Sequence, residues 1–178
     1  MKLAIAEVKL KAKLLLKQCK TNAQSLKTSR TNVIEPEALQ LKHCLVFISQ
    51  KLGLKNWQQA QALLSGSSPT QNNLNFGTMW YDTRCTALTN HWFSNYQEAK
   101  DFHASNQHMY LVPFNTQCAV VEKEYLLLLG FKENEFNDLK RISHDLISGY
   151  GSASWDHLAR QRIHHQIKIE NYLKGDTV

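Results

Sequence analysis

The chain has 178 residues, of which 43% are hydrophobic and 20% charged, a composition typical of a globular protein with its own core. This composition excludes a chain that is disordered throughout, and no apolar run is longer than the five residues at 125–129, which is far too short for a membrane span. The net charge is +6, yet the first 30 residues alone carry +7, because their eight basic side chains are opposed by a single acid, Glu7. The sequence therefore indicates a basic N-terminal segment that suits an anionic partner.

The first predicted element is an amphipathic helix over residues 2–20. Helical spacing places apolar side chains on one face, at Ala4, Val8, Ala12, Leu15 and Cys19. A different face carries Lys2, Lys9, Lys13, Lys17 and Lys20. Because Glu7 and Lys9 interrupt the apolar residues at the start, no signal peptide is expected.

Two further helices are predicted after a polar loop at residues 21–34. Pro36 suits the first turn of a helix over 36–52, which Gly53 ends. Asn56 and Gln59 have the spacing of a capping box and predict a helix over 57–64. Residues 65–78 are rich in Ser, Asn, Gly and Pro, and this loop predicts a boundary between a basic helical module, 1–66, and a second module, 77–178.

The second module predicts a small, mostly antiparallel sheet with helices, so the fold class is α+β. Strands are predicted at residues 79–81, 88–93, 109–114 and 118–121, where aromatic and β-branched residues cluster. Pro113 indicates an edge strand, and residues 115–117 indicate a hairpin turn. Helices are predicted from a Ser94 cap to residue 102, over 122–129 and 134–147, and from a Ser154 cap over 155–173, before a frayed tail at 174–178.

Residues 53–57 and 151–155 share a pattern of glycine, capping side chain and tryptophan. The pattern predicts two tight helix–helix corners, each with an indole at the start of the second helix. Such caps and glycines recur in any helical protein, so the pattern does not indicate a duplicated module.

The four cysteines, Cys19, Cys44, Cys85 and Cys118, are widely spaced among apolar neighbours, and no C-x-x-C pair occurs. Three disulfide pairings are open, but isolated apolar cysteines favour reduced thiols and a cytoplasmic location.

The basic segment supplies the candidate nucleic-acid contacts. Lysine and arginine side chains that could reach phosphates are Lys9, Lys13, Lys17, Lys20, Lys27 and Arg30. The helix pair around Gly53 has the connection of a helix-turn-helix, in which Gln58 and Gln61 would contact adenine edges. This second helix contains no arginine or lysine, and a solvated lysine face with no partner is the alternative interpretation.

A small-molecule pocket is the second hypothesis, because aromatic residues are dense around the predicted strands. The candidate lining residues are Trp80, His91, Trp92, His108 and Tyr110. A Cys118–His pair would be the minimum for nucleophilic catalysis, but Cys118 lies in an apolar strand. No zinc, dinucleotide, phosphate-loop or serine-hydrolase motif occurs, so no cofactor or metal is predicted and a non-catalytic role is favoured.

Residues 8–66 resemble the bacterial glyoxalase-related helical domain. The likeness depends on the basic helix at 9–16 and on the run Leu-Gly-Leu-Lys-Asn-Trp-Gln-Gln-Ala at 52–60. The resemblance implies a helical domain with no assigned catalytic residues, and the remaining two thirds resemble no known family. The leading hypothesis is therefore a binding or regulatory protein with an anionic partner such as nucleic acid; the alternatives are the small-molecule pocket and a protein–protein interaction module.

Overall fold

The computed structural model describes residues 2–27, 33–67 and 74–173, and it has the predicted α+β architecture. The helices are α1 (Leu3–Thr21), α2 (Leu41–Lys51), α3 (Trp57–Leu64), α4 (Tyr96–Ser105), α5 (Lys123–Leu128), α6 (Glu135–Arg141), α7 (Ala153–Gln166) and α8 (Ile169–Leu173). The strands are β1 (Asn90–Phe93), β2 (Tyr110–Phe114) and β3 (Gln117–Val121), and a 3₁₀ helix covers Thr83–Ala87. The predicted C-terminal tail lies outside the described residues.

Helix α1 has the buried face that its sequence predicts. The five apolar side chains of that face, Ala4, Val8, Ala12, Leu15 and Cys19, are at most 1% exposed. They pack against α2 on one side and α7 on the other. The regular 3.6-residue spacing is therefore sufficient to identify this face.

The first helix–helix corner largely follows the prediction. Asn56 caps α3 by accepting a hydrogen bond from the Gln59 amide at 2.9 Å, and Gly53 has the left-handed φ of +77° that closes α2. The predicted start of α2 is wrong, because the helix begins at Leu41 and not near Pro36. Gln40 is extended, and its amide donates to the His43 side chain, which fixes the later start.

The three strands form one antiparallel sheet in the order β1-β3-β2. Strand β2 lies at an edge, as Pro113 predicts, and it joins β3 through a tight turn in which Asn115 has φ +51°. One face of the sheet, with Val112, Ala119 and Val121, packs on the helical core. The opposite face forms a second apolar cluster beneath α4, so the sheet lies between α4 and the helical body.

The predicted strand at residues 79–81 is wrong. Residues 77–80 form a turn, and Trp80 is fully buried in the core. The carbonyl oxygens of Met79 and Tyr81 accept hydrogen bonds from the buried Arg162 guanidinium. Since a side chain satisfies these backbone groups, the segment needs no partner strand.

Helix α6 ends six residues earlier than predicted, at Arg141. Ser143 and His144 have left-handed φ angles of +54° and +59°, which end the helix. The chain then runs beside β2, where the Leu111 amide donates to the His144 carbonyl and the Leu146 amide donates to the Leu111 carbonyl. Hydrogen bonds to the sheet edge thus replace those of a longer helix.

Two predicted caps are displaced by one or two residues. Asn95, not Ser94, accepts the hydrogen bond that caps α4, and Ser152, not Ser154, caps α7. The corners at residues 53–57 and 151–155 share left-handed glycines, but their caps stand at different distances from the glycine. The predicted last helix also breaks at Ile167 and resumes as α8.

One apolar cluster extends from α1 to α8 and includes residues on both sides of the predicted 66/77 boundary. At this junction Gly66 and Gly151 pack backbone to backbone, and a Cβ added at Gly66 would lie 2.5 Å from the Gly151 Cα atom. The division into two modules stays a prediction, although the helical half and the sheet half share this core. Part of the connecting loop, residues 68–73, lies outside the described chain.

Candidate anion-binding face

Helix α1 exposes most of the predicted lysine stripe. Lys13, Lys17 and Lys20 are exposed and Lys9 is half-buried. At 3.6 residues per turn the four side chains fall within an arc of about 80°. Within residues 2–27, 33–67 and 74–173, none of them forms an ion pair with a carboxylate. We call these four residues the lysine stripe.

Other candidate contacts lie apart from the lysine stripe. Lys27 is exposed beyond the end of α1, and Arg30 lies outside the described residues. Gln58 and Gln61 are exposed on α3, one turn apart, as a base-contacting helix would require. The end of α3 lies near the start of α1, and Gly151 connects the two. Gly66, just after α3, contacts Gly151, and the Gly151 carbonyl accepts a hydrogen bond from the Lys2 ammonium at 2.8 Å.

Two lysines, Lys2 just before α1 and Lys11 within it, hold the helix in place. The Lys2 ammonium bonds the Gly151 carbonyl, as described above. Lys11 is only 9% exposed, and its ammonium donates to the His164 carbonyl of α7 at 3.4 Å. Burial lowers the pKa of Lys11, and the nearby Glu7 carboxylate opposes that shift. Lys2 therefore does not belong to the free part of the predicted basic face.

Glu7, the single acid among the first 30 residues, does not offset the lysine stripe. Its side chain is 4% exposed, and three basic side chains surround its carboxylate: the cations Lys11 at 3.9 Å and Arg160 at 3.7 Å, and the imidazole of His164 at 3.0 Å. This carboxylate is thus screened by cations from α1 and α7. The exposed surface of α1 keeps an excess of positive charge.

Helix α1 also exposes three leucines that the sequence interpretation missed. Leu3, Leu10 and Leu14 are 43%, 51% and 41% exposed, although the other face of the helix is fully packed. Their positions fall within an arc of about 40°, directly beside the lysine stripe. The spacing of 3, 10 and 14 was a signal in the sequence, but only burial shows which leucines stay outside the core.

The five residues of the predicted aromatic pocket are not brought together. Trp80 is fully buried in the core, and Tyr110 is buried beside Phe136. His91 and Trp92 are neighbours on β1 and project to opposite faces of the sheet: His91 packs on Phe102, and Trp92 packs on Phe114. The exposed His108 pairs with Glu122 at 3.8 Å.

A different cleft, of about 610 Å³, lies between α4 and the segment that follows α6. Its lining includes Lys100, Lys140, His103 and His144. The Nδ1 atom of His144 lies 3.0 Å from the Gln107 carbonyl oxygen. Because a carbonyl only accepts, Nδ1 carries a proton, and Nε2 is the ring nitrogen that this hydrogen bond does not use.

One carboxylate, that of Asp145, also lines this cleft, but its oxygens are already used. The Tyr96 hydroxyl and the amides of Ile147 and Ser148 donate to them at 2.7–2.9 Å. The free polar groups of the cleft are thus mainly cations or neutral donors. Sequence reasoning missed the cleft because its residues come from distant segments.

All four cysteines are buried free thiols. Burial raises the pKa of Cys118 to about 11 and that of Cys44 to about 12, so both stay protonated at neutral pH. Cys118 Sγ lies 3.5 Å from the Asn95 carbonyl and has no histidine partner among the described residues. No group of three or more His, Cys, Asp or Glu in that part of the chain is placed to hold a metal ion.

No protein-family model matches the chain, and comparisons with curated proteins and with solved structures also give no match. The resemblance of residues 8–66 to the glyoxalase-related domain therefore stays a prediction. Among the described helices, none has both the length and the apolar character needed to cross a membrane.

Proposed function

We propose that the protein is a non-catalytic binding module that engages an anionic partner through the lysine stripe of α1. The observation that carries the proposal is the set of four lysines on one helix face, none of them paired with a carboxylate among the described residues. The burial of Glu7 among Lys11, Arg160 and His164 supports it, because the neighbouring acid does not screen the stripe. Ammonium groups free of internal partners are available to an external anion.

Nucleic acid is the first anionic partner to consider. The lysine stripe covers 11 residue steps, about 16 Å of helix, which matches several successive phosphates on one strand. The exposed Gln58 and Gln61 on α3 add side chains able to contact base edges. Binding of this kind would be dominated by phosphate contacts and strongly dependent on salt.

Replacing Lys9, Lys13, Lys17 and Lys20 together by glutamine should weaken binding of double-stranded DNA or RNA at least tenfold. The slope of log affinity against log salt should also become shallower by about 3–4, since each lost phosphate contact removes about 0.9. Fluorescence anisotropy with labelled duplexes over a salt series measures both quantities.

The matched control changes four exposed lysines outside α1, Lys55, Lys100, Lys132 and Lys140, to glutamine. Because Lys100 and Lys140 line the cleft between α4 and the segment after α6, a second control changes to glutamine four residues that are exposed outside both α1 and that cleft, Lys51, Lys55, Lys132 and Arg141. Each control removes the same charge as the α1 variant, and the second should leave most of the affinity, because its residues do not form one stripe. Equal weakening by the α1 variant and the second control would show that net charge alone is responsible. Unchanged affinity in the α1 variant, or no binding of any anionic probe by the native chain, would contradict the proposal.

A small-molecule function is the second candidate, supported by the cleft between α4 and the segment after α6. Ser143 and His144 are consecutive non-glycine residues in left-handed conformations, and both line the cleft. Such strain concentrates at binding sites. Lys100 and Lys140 at the same cleft form no ion pair with a described carboxylate, so a small anion is the class of ligand that fits.

Inorganic phosphate or a phosphomonoester is expected to raise the melting temperature of the native chain and not that of a Lys100→Gln, Lys140→Gln variant. The reason is that a ligand bound only by the folded state stabilises it by mass action. Thermal shift at constant ionic strength measures the effect, with sulfate and chloride series as controls. Equal shifts in the two proteins would reject this cleft as the site.

A further inference from the structure

The exposed leucines Leu3, Leu10 and Leu14 form a continuous apolar line along α1. Leu3 and Leu10 are two turns apart and Leu14 lies one turn further, so the line is about 16 Å long. Each side chain is more than two fifths exposed, and none belongs to the apolar core clusters. Such an aligned set of apolar side chains on one helix is a feature of interaction surfaces.

Basic side chains border this leucine line on both sides. Along one side runs the lysine stripe. Along the other lie the exposed Arg160 and His164, which crowd the nearly buried Glu7 carboxylate from α7. Near Leu14 the surface continues to the basic Lys168 and the acidic Glu170. The surface is therefore apolar at its centre and basic at both edges.

This arrangement distinguishes between possible occupants. Phosphates of a nucleic acid would neutralise the lysines but would leave three leucines in water. A second copy of the chain would bring two lysine stripes together, and like charges at an interface are strongly unfavourable. An anionic membrane is disfavoured because residues 1–30 contain no aromatic side chain of the kind that anchors interfacial helices.

We infer that α1 docks an acidic amphipathic helix of a partner protein. This inference depends on the proposed function, since it names the partner of the same basic face. The partner's apolar side chains, spaced three and four residues apart, would cover Leu3, Leu10 and Leu14. Its glutamates and aspartates on either side would meet the lysine stripe on one edge and Arg160 on the other. The partner needs about three helical turns to match the leucine line.

The probe is a labelled helical peptide of about 18 residues with one leucine face bordered by glutamates, a length that covers the 16 Å leucine line with a turn to spare at each end. A peptide of the same composition in scrambled order has the same charge but no apolar face. The native chain should bind the amphipathic peptide at least tenfold more tightly than the scrambled one. Equal affinities would overturn the inference.

Two variants separate this inference from the proposed function. Leu10→Gln with Leu14→Gln should weaken peptide binding at least tenfold while leaving duplex binding unchanged; the four-lysine glutamine variant should weaken both. Because the two leucines are exposed, their replacement should leave circular dichroism and melting temperature unchanged. A leucine variant that binds the peptide normally, while the lysine variant loses duplex binding, would overturn the inference and leave the proposed function standing.

Other occupants are tested with the same leucine variant. Sedimentation of the native chain as a dimer that the variant loses would assign the surface to a second copy. Binding of vesicles containing phosphatidylserine that the variant loses, with no selective binding of the amphipathic peptide, would assign it to a membrane. Either result would overturn the inference.

Discussion

Replacing Arg162 by methionine is expected to lower the free energy of unfolding by about 3–5 kcal/mol. Arg162 lies on α7, is 3% exposed and donates hydrogen bonds to three carbonyl oxygens, those of Met79 at 2.6 Å, Leu129 at 2.9 Å and Tyr81 at 2.7 Å. No other hydrogen bond to these three oxygens is present among the described residues. Methionine keeps the apolar stem but leaves the oxygens without a donor.

Arg162 is also a buried cation without a carboxylate within ion-pair distance in the described chain. Burial lowers its pKa to about 10, and the more distant Asp82 opposes that shift. The side chain stays charged at neutral pH, and the three carbonyl dipoles solvate it. We expect Arg162→Lys to keep only part of the stability. The lysine ammonium cannot donate to three carbonyls in the planar geometry that a guanidinium provides.

Urea unfolding followed by tryptophan fluorescence measures this effect. The matched control is Arg141→Met, because Arg141 is 73% exposed in its pair with Asp138 and such surface pairs contribute about 0–1 kcal/mol. A loss below about 1 kcal/mol for Arg162→Met, the same range as the control, would show that water replaces the guanidinium without penalty.

Replacing Asp156 by alanine is expected to cost about 2–4 kcal/mol, the second largest effect. Helix α1 has no side-chain cap of its own at Lys2. The Asp156 carboxylate of α7 serves instead, accepting hydrogen bonds from the Leu3 amide at 2.8 Å and the Ala4 amide at 3.0 Å. Its negative charge also lies at the positive end of the α1 dipole.

Asp156→Asn keeps one carbonyl oxygen and one of the two hydrogen bonds, so its loss should be intermediate. The exposed Asp101→Ala is the matched control and should change stability by less than about 0.5 kcal/mol. Amide hydrogen exchange adds a local measurement: exchange at Leu3 and Ala4 should accelerate in the alanine variant. Unchanged exchange at these two amides would contradict the capping role of Asp156.

The Asp156 contact also bears on the binding face. Together with the Lys2–Gly151 and Lys11–His164 hydrogen bonds it anchors α1 to α7 and to the turn before it, so the lysine stripe and the exposed leucines lie on a helix tied to the core. We therefore expect variants of the lysine stripe to bind the partner more weakly without losing stability. Asp156 variants should lose both binding and stability.

Several features followed from local patterns in the sequence. The buried face of α1, the Asn56 cap, the left-handed Gly53 and the edge position of Pro113 were all predicted correctly. Each depends on a period or on the conformational preference of one residue, and such preferences act over a few neighbouring positions. The excess of lysine in the first helix could also be read from the sequence alone, because charge is a property of composition.

Long-range contacts decided the features that local patterns could not predict. Residues 79–81 are not a strand because Arg162, on a helix about 80 positions later, binds their carbonyls. Likewise α6 stops at Arg141 because the next segment bonds the edge of β2. Hydrogen bonds between distant segments replaced those that local propensity favoured, since a buried backbone group must be satisfied by whichever partner the fold supplies.

The candidate site divides in the same way. Composition and helical spacing placed the lysines on one face, but packing decided which of them remain free. Lys11 bonds the His164 carbonyl of α7 and Lys2 bonds the Gly151 carbonyl just before α7, while the lysine stripe forms no such contact. Packing also buried Glu7 among three basic side chains and left Leu10 exposed. Which side chains a helix presents to solvent depends on where its neighbours lie, and that arrangement exists only once the chain has folded.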